Sequence, residues 1–163
     1  YYLYMQLTGG TRLMTNTDKA KVLAEEVLDC VSFRLRRAAR MVAKRYDDAL
    51  RPVGLRNTQF SVLGALAFLG ETGIGELAVQ MATDATTLTR NLDVLVRRDL
   101  IENVAAEDGR VRRVRLTSMG QETLEEALPL WRAAQSKTLE SVGSGTWQET
   151  RKILAEIESG EEK

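Results

Sequence analysis

The apolar residues of this chain follow a helical spacing on both sides of one short stretch, residues 100–116, in which the spacing becomes extended. In that stretch apolar residues flank the turn sequence Glu107-Asp108-Gly109: Leu100, Ile101 and Val104 before it, and Val111, Val114 and Leu116 after it. An Asp-Gly pair between two apolar runs is typical of a tight β-hairpin turn. The chain is therefore predicted to be mainly α, with strands limited to one small hairpin.

The region before the hairpin is predicted to contain one long amphipathic helix and three shorter ones. The long helix is predicted over residues 17–50, because apolar residues recur there every three or four positions: Leu23, Val27, Val31, Leu35, Ala38, Val42, Tyr46 and Ala49. Shorter helices are predicted at about 57–69 and 75–81, and then from the cap Thr83-Asp84 to Arg98.

Two more helices are predicted after the hairpin. Ser118 and Gln121 form a possible capping box at the start of a helix that continues to Val142. Gly143-Ser144-Gly145 interrupts it, and a last helix is predicted at about 146–158. This order predicts a winged helix-turn-helix whose wing is the hairpin, flanked by long amino-terminal and carboxyl-terminal helices.

The pattern divides the chain into four parts. We expect residues 1–16 to be a flexible extension, 17–50 a dimerisation helix, 51–116 the winged helix-turn-helix lobe, and 117–163 carboxyl-terminal dimerisation helices and a tail. The flanking helices carry apolar stripes that a lobe of this size cannot cover alone. A second copy of the chain would bury them, so a homodimer is predicted.

The composition argues against an enzyme and against a metal or cofactor site. The chain has 0 histidines, so the commonest general base and the commonest metal ligand are both missing. It has no Gly-rich phosphate-binding loop, and its single cysteine, Cys30, can form neither an internal disulfide nor a paired zinc site. We expect no catalytic residues, no metal, no cofactor and a reducing cytoplasmic location. No apolar run approaches the roughly 18 residues that a membrane span needs.

The helix that precedes the hairpin is predicted to present a polar face. If Leu88, Leu92 and Leu95 point inward, the 100° step per residue places Thr86, Thr87, Arg90 and Val94 on the opposite side, with Asn91 at its margin. That face is polar near its start. Hydroxyls and a guanidinium are groups that contact phosphates and base edges in the major groove. The alternative is an ordinary solvated helix face.

The predicted hairpin is rich in arginine. Arg110, Arg112, Arg113 and Arg115 lie within six residues, and such a density would repel itself unless an anion were close. The minor groove of DNA is such a place, so Arg110, Arg112 and Arg113 are predicted to bind DNA, although a solvated charge run is the alternative. The net charge of 0 does not contradict this, because acidic residues are concentrated in the carboxyl-terminal helices and tail.

An ordered set of short motifs resembles the MarR family of transcriptional regulators over about residues 20–158. The motifs are Gly54-Leu55, Gln59-Phe60-Ser61-Val62-Leu63, Glu76-Leu77-Ala78, Thr86-Thr87-Leu88-Thr89-Arg90-Asn91-Leu92, Asp108-Gly109-Arg110, and Leu116-Thr117 with Gly120. The resemblance implies a dimer on double-stranded DNA with a palindromic operator, acting as a repressor. It also implies that Arg110 reaches the minor groove and that Asp108 braces it.

The chain departs from the family pattern at two positions. Asp99 stands where a glycine usually follows the recognition helix, and Arg56 stands where a capping hydroxyl is common. We expect Asp99 to accept a left-handed turn and Asn57 to act as the cap instead. Neither departure implies a loss of function.

The resemblance also suggests a small aromatic or anionic effector that releases the protein from DNA. Arg36, Arg37 and Arg40 form a cluster that could meet such a ligand, although arginines on a long helix are more often solvated or paired. A peroxide-sensing role for Cys30 is an alternative, because one branch of the family carries a reactive cysteine near the start of its first helix. Cys30 is out of register with that cysteine, so an inert thiol is favoured. A further alternative is a dimeric helical scaffold whose winged-helix lobe binds protein.

Overall fold

The computed structural model describes residues 15–105 and 112–160, and it confirms a mainly helical chain with a small antiparallel sheet. The helices are α1 (Asn16–Asp29), α2 (Val31–Leu50), a 3-10 helix (Arg51–Val53), α3 (Asn57–Leu69), α4 (Ile74–Gln80), α5 (Ala85–Arg97), α6 (Ser118–Val142) and α7 (Ser144–Ser159). The strands are β1 (Thr72–Gly73), β2 (Ile101–Val104) and β3 (Arg113–Leu116). The chain divides into two compact units, Tyr1–Met41 and Val42–Lys163.

The first unit contains α1 and the first half of α2. The prediction of one helix over residues 17–50 is wrong, because Cys30 separates two helices with a ψ of 129° that no α-helix accommodates. Thr15 caps α1 in a reciprocal capping box with Asp18. No residue of α1 is buried.

The second unit contains the hydrophobic core. The buried core residues come from the end of α2, the turn after the 3-10 helix, α3, α4, α5, the start of β2, β3 and α6. They are Leu50, Leu55, Val62, Leu63, Leu66, Leu77, Ala78, Leu88, Leu92, Leu95, Leu100, Ile101, Val114 and Ala127. Phe60 of α3 stacks on Trp131 of α6 with ring centroids 5.9 Å apart. The lobe is therefore built around a core that includes the first half of α6.

The predicted hairpin is confirmed as β2 and β3, with Ile101 opposite Leu116 and Val104 opposite Arg113. A third strand was not predicted. The two residues of β1 pair with β3, which gives the strand order β1-β3-β2. The turn at Glu107-Asp108-Gly109 lies outside the described residues.

Two predicted helix caps are replaced by neighbouring residues. Arg56, not Asn57, occupies the N-cap of α3, and its backbone N–H donates to Gln59 Oε1 at 2.9 Å. The N–H of Asn57 donates instead to Asp47 Oδ1 at 2.7 Å, so a carboxylate from α2 completes the cap. For α6 the cap is Thr117 rather than Ser118, and its hydroxyl accepts from the N–H of Gly120 at 2.9 Å.

The packing of α6 against the start of β2 requires a glycine. A Cβ added to Gly120 would stand 1.9 Å from the carbonyl oxygen of Leu100, which is backbone and cannot move aside easily. Next to this contact, Asp99 adopts the expected left-handed conformation with φ 57°. The Thr117 hydroxyl donates to the Asp99 carbonyl at 2.6 Å. This turn therefore fixes the path from α5 into β2 and the start of α6.

Candidate nucleic-acid interface

Helix α5 is held with one face in the core and the other in solvent. Leu88, Leu92 and Leu95 are 1%, 0% and 0% exposed, which confirms the predicted inward face. On the opposite side Thr86, Thr87 and Arg90 are exposed, and Asn91 is half-buried at the margin. We call these four residues the polar face of α5.

The amino end of α5 is fixed by its cap. Asp84 Oδ1 accepts from the backbone N–H of Thr87 at 2.8 Å. This bond has the largest effect on the pKa of Asp84 and a bond from the Thr87 hydroxyl the second largest, and both hold that pKa below its ordinary value. The cap therefore sets the first turn of α5, which carries the two threonines of the polar face.

The carboxyl end of α5 is tied to the turn that precedes α3. Arg98 Nη1 donates to the Gly54 carbonyl at 2.7 Å, and Nη2 donates to the Val53 carbonyl at 3.4 Å. Gly54 has a left-handed φ of 67°. No local pattern predicts this contact, because the two segments are 44 residues apart in the chain.

The arginines of the hairpin have acidic partners within the lobe. Arg112 pairs with Asp93 of α5 at 3.0 Å, Arg113 with Glu71 at 2.7 Å, and Arg115 with Glu102 at 2.7 Å. Carboxylates within the lobe therefore supply the nearby anions for the three described arginines, so their density does not by itself require DNA. The DNA contacts of Arg112 and Arg113 stay a prediction. The hydrogen bond with Glu102 also raises the pKa of Arg115.

The remaining predicted wing residues, Asp108 and Arg110, lie outside the described residues. The four acidic and amide partners of the arginines, Glu71, Asp93, Glu102 and Asn103, were missed by the sequence analysis. Glu102 could have been found, since the hairpin register places it directly opposite Arg115. Asp93 could not, because its contact joins a helix to a strand.

The three arginines predicted to meet an effector lie on α2 in the first unit. Arg36, Arg37 and Arg40 are exposed, and within the described part of the chain none of their side chains has an ion-pair or hydrogen-bond partner. Cys30 is also exposed. In residues 15–105 and 112–160 no group of three potential metal ligands comes together.

The second unit has a cavity of about 540 Å³ between α2 and α6 that the sequence analysis did not identify. Its lining combines two cationic side chains with apolar and hydroxyl groups: Arg45, Ala49, Leu130, Ala133, Ala134, Lys137, Thr138 and Ser141. None of the three predicted effector arginines lines it. None of the helices in the described ranges is long and apolar enough to cross a membrane.

Comparisons with known proteins place this arrangement among transcriptional regulators. The chain is 40% identical to the Mycobacterium tuberculosis transcriptional regulator MosR, solved in complex with DNA, with a TM-score of 0.74 over 80% of this chain and 95% of that one. It is 25% identical to the transcriptional repressor CouR, solved on a 23-mer DNA duplex, with a TM-score of 0.73 over 81% and 94% of the two chains. Escherichia coli MarR without DNA, at 20% identity and a TM-score of 0.65, shares the fold over 78% of this chain and 96% of that one.

Among curated proteins, the HTH-type transcriptional regulator YwoH of Bacillus subtilis is 30% identical over 93 residues, which are 57% of this chain and 68% of YwoH. No family model matches the chain. These relatives are regulators rather than enzymes, in agreement with the prediction from composition. The long coverage of MosR and YwoH, together with the order of elements, establishes that this chain belongs to the MarR family of winged helix-turn-helix transcriptional regulators.

Proposed function

We propose that the protein is a sequence-specific DNA-binding regulator that binds a palindromic operator as a homodimer and acts as a repressor. The observation that carries the proposal is the polar face of α5, which is exposed above a row of leucines that are at most 1% exposed. A rigid helix with hydroxyls and a guanidinium on its outer side is suited to read the major groove. The 40% identity to a regulator solved with DNA supports the same role.

Two elements of the lobe, residues 51–116, contact DNA in this proposal: α5 and the hairpin. Thr86, Thr87, Arg90 and Asn91 contact phosphates and base edges. Arg110 enters the minor groove beside α5, which is the recognition helix in this proposal, with Asp108 as its support. Arg113 lies at the base of the same hairpin. Because Glu71 neutralises Arg113, we expect a smaller contribution from Arg113 than from Arg110.

The homodimer is proposed to form through residues 17–50 and 117–163. Large apolar side chains in both segments are in contact with water in the single chain: Leu23 is 62%, Val27 64%, Val31 67%, Ile153 57% and Ile157 51% exposed. Contiguous exposed apolar surface on amphipathic helices marks an interface. A dimer also matches the twofold symmetry of a palindromic site.

Release by a small aromatic or anionic effector is the remaining part of the proposal. The support is chemical: Arg36, Arg37 and Arg40 have no anionic partner in the described part of the chain, and three neighbouring cations favour binding of an anion. Benzoate is a suitable probe, with benzyl alcohol as an uncharged control. We expect benzoate to weaken operator binding in the wild type and to have less effect on Arg36→Gln/Arg40→Gln.

The proposed function is tested by selecting a binding site from random double-stranded DNA with the purified full chain. We expect enrichment of a palindrome whose half-sites lie about one helical turn apart. Failure to enrich any sequence would contradict the proposal, whether the chain captures DNA regardless of sequence or captures none. A protein-binding scaffold would capture no DNA, so the same selection separates the two functions.

A further inference from the structure

We propose that Asp93, Arg112 and Asn103 form a bridge that positions the wing relative to the recognition helix, and that Arg112 acts through this bridge rather than by contacting DNA. The inference rests on the proposed function, since it assigns three residues to the geometry of that DNA-binding site. It differs from the sequence-based prediction, which placed Arg112 among the DNA contacts.

The guanidinium of Arg112 joins two elements of the lobe. Its Nη2 donates to Asp93 Oδ1 on α5 at 3.0 Å, and its Nε donates to Asn103 Oδ1 on β2 at 2.6 Å. The Arg112 backbone is also fixed, because its carbonyl accepts from the N–H of Ile74 at the start of α4 at 3.2 Å. One residue at the base of β3 therefore contacts α4, α5 and β2 together.

The place of Asp93 on α5 shows why the bridge matters for DNA. Asp93 follows Arg90 by three residues and precedes Arg97 by four, so it shares a face of the helix with two cations. Neither Arg90 nor Arg97 has an ion-pair partner in the described part of the chain. A bare carboxylate there would repel phosphates, but Arg112 neutralises it and leaves Arg90 and Arg97 unpaired.

The bridge contributes more to geometry than to stability. The side chains of Arg112 and Asp93 are 35% and 45% exposed, and ion pairs of that exposure add little to the free energy of unfolding. The bridge does, however, fix the distance between two elements that must enter adjacent grooves. A small displacement of positioned groups is enough to weaken a site assembled from two elements.

The experiment compares Asp93→Asn with Glu102→Gln in the full chain. Both substitutions remove one negative charge from the lobe, and Glu102 belongs to the pair with Arg115 that links only β2 and β3. If the net charge of the lobe alone determines the affinity for DNA, both variants bind the selected operator more tightly than wild type. If the bridge positions the wing, Asp93→Asn binds that operator about tenfold more weakly, comparable to losing one good base contact. Its affinity for a scrambled duplex should not fall.

Arg112→Gln supplies the second measurement. A positioning residue lowers operator affinity without changing the salt dependence, whereas loss of a phosphate contact reduces the slope of log K against log salt by about 0.9. The double variant Asp93→Asn/Arg112→Gln should lose no more affinity than Arg112→Gln alone, because Arg112→Gln already removes the bridge that the loss of charge at Asp93 weakens. Circular dichroism of each variant checks that the lobe remains folded.

The outcomes separate this inference from the proposed function. If the wild type enriches an operator but Asp93→Asn behaves like Glu102→Gln, the bridge has no positioning role and the function stands. A reduced salt slope for Arg112→Gln would make Arg112 a phosphate contact and would also overturn the inference. A wild type that enriches no operator overturns the proposed function and, with it, this inference.

Discussion

The lobe in the second unit and the terminal helix α1 differ sharply in how their apolar residues are used. The lobe buries leucines completely, with Leu63, Leu77 and Leu92 all 0% exposed. Helix α1 buries none of its residues, although it has apolar positions at helical spacing. Burial of apolar surface is the main favourable contribution to folding, so the lobe is stabilised by its own core, whereas α1 contributes no buried residue in the described part of the chain. The proposed dimer would supply the surface that covers it.

The largest expected effect is on the terminal helices. Leu23→Lys/Val27→Lys removes two apolar side chains per chain, hence four per dimer, each contributing about 1.5 kcal/mol or more if buried. We therefore expect the dimer to weaken by about 6 kcal/mol, or roughly four orders of magnitude in Kd. Sedimentation at micromolar concentration measures this as a change from two chains to one.

Val79→Lys is the matched control for the dimer, because Val79 is 83% exposed on α4 in the lobe. It should leave two chains in solution. A double variant that still sediments as a dimer would remove α1 from the interface. A wild type that is a monomer with α1 folded would contradict the homodimer itself.

The next largest effect concerns the packing within the lobe. Gly120→Ala places a methyl group against the Leu100 carbonyl, and the required backbone shift should lower the free energy of unfolding by about 3 kcal/mol or more. Gly64→Ala on α3 is the control: nothing lies within 4 Å of its added Cβ, so helix propensity should raise stability by up to about 1 kcal/mol. Denaturant unfolding midpoints measure both. Equal stabilities would show that α6 does not pack as described.

A smaller effect is expected from the wing. Arg110→Ala should cost about 1–3 kcal/mol of operator affinity, and more where the flanks are A·T-rich, because a narrow minor groove attracts arginine most strongly. Arg115→Ala removes the same charge from the same hairpin, but Arg115 is already paired with Glu102. The loss of operator affinity in Arg115→Ala should therefore be smaller and independent of the flanks. Fluorescence anisotropy at one salt concentration would measure both. Identical losses for the two variants would mean that only net charge matters.

The smallest effect is expected at Cys30, between α1 and α2. Cys30→Ser should leave operator binding and its response to an organic hydroperoxide unchanged, because Cys30 is out of register with the reactive cysteine of the peroxide-sensing branch of the family. Wild type and variant are compared with and without the oxidant. Release of the wild type alone would assign a sensing role to Cys30.

Features that depend on residues close in the sequence could be predicted, and features that depend on contacts between distant segments could not. The buried face of α5 and the hairpin could be predicted because helical and extended spacings are local patterns, as Leu88, Leu92 and Val114 illustrate. The break at Cys30 could not, since no glycine or proline marks it. Strand β1 is two residues long and exists only because β3 pairs with it. The partners of Arg112 and Arg113 belong to other elements, so the periodicity of the hairpin contains no information about them.

The central claim is that the polar face of α5 reads DNA. The most direct test titrates wild type, Arg90→Ala and Arg97→Ala against the selected operator and against a scrambled duplex, at one fixed salt concentration. Arg97 is exposed on the last turn of the same helix, so its removal controls for the loss of one charge. We expect Arg90→Ala to lose about 1–3 kcal/mol on the operator, with a smaller loss on the scrambled duplex and from Arg97→Ala. Equal affinity of wild type and Arg90→Ala for the operator would contradict the claim.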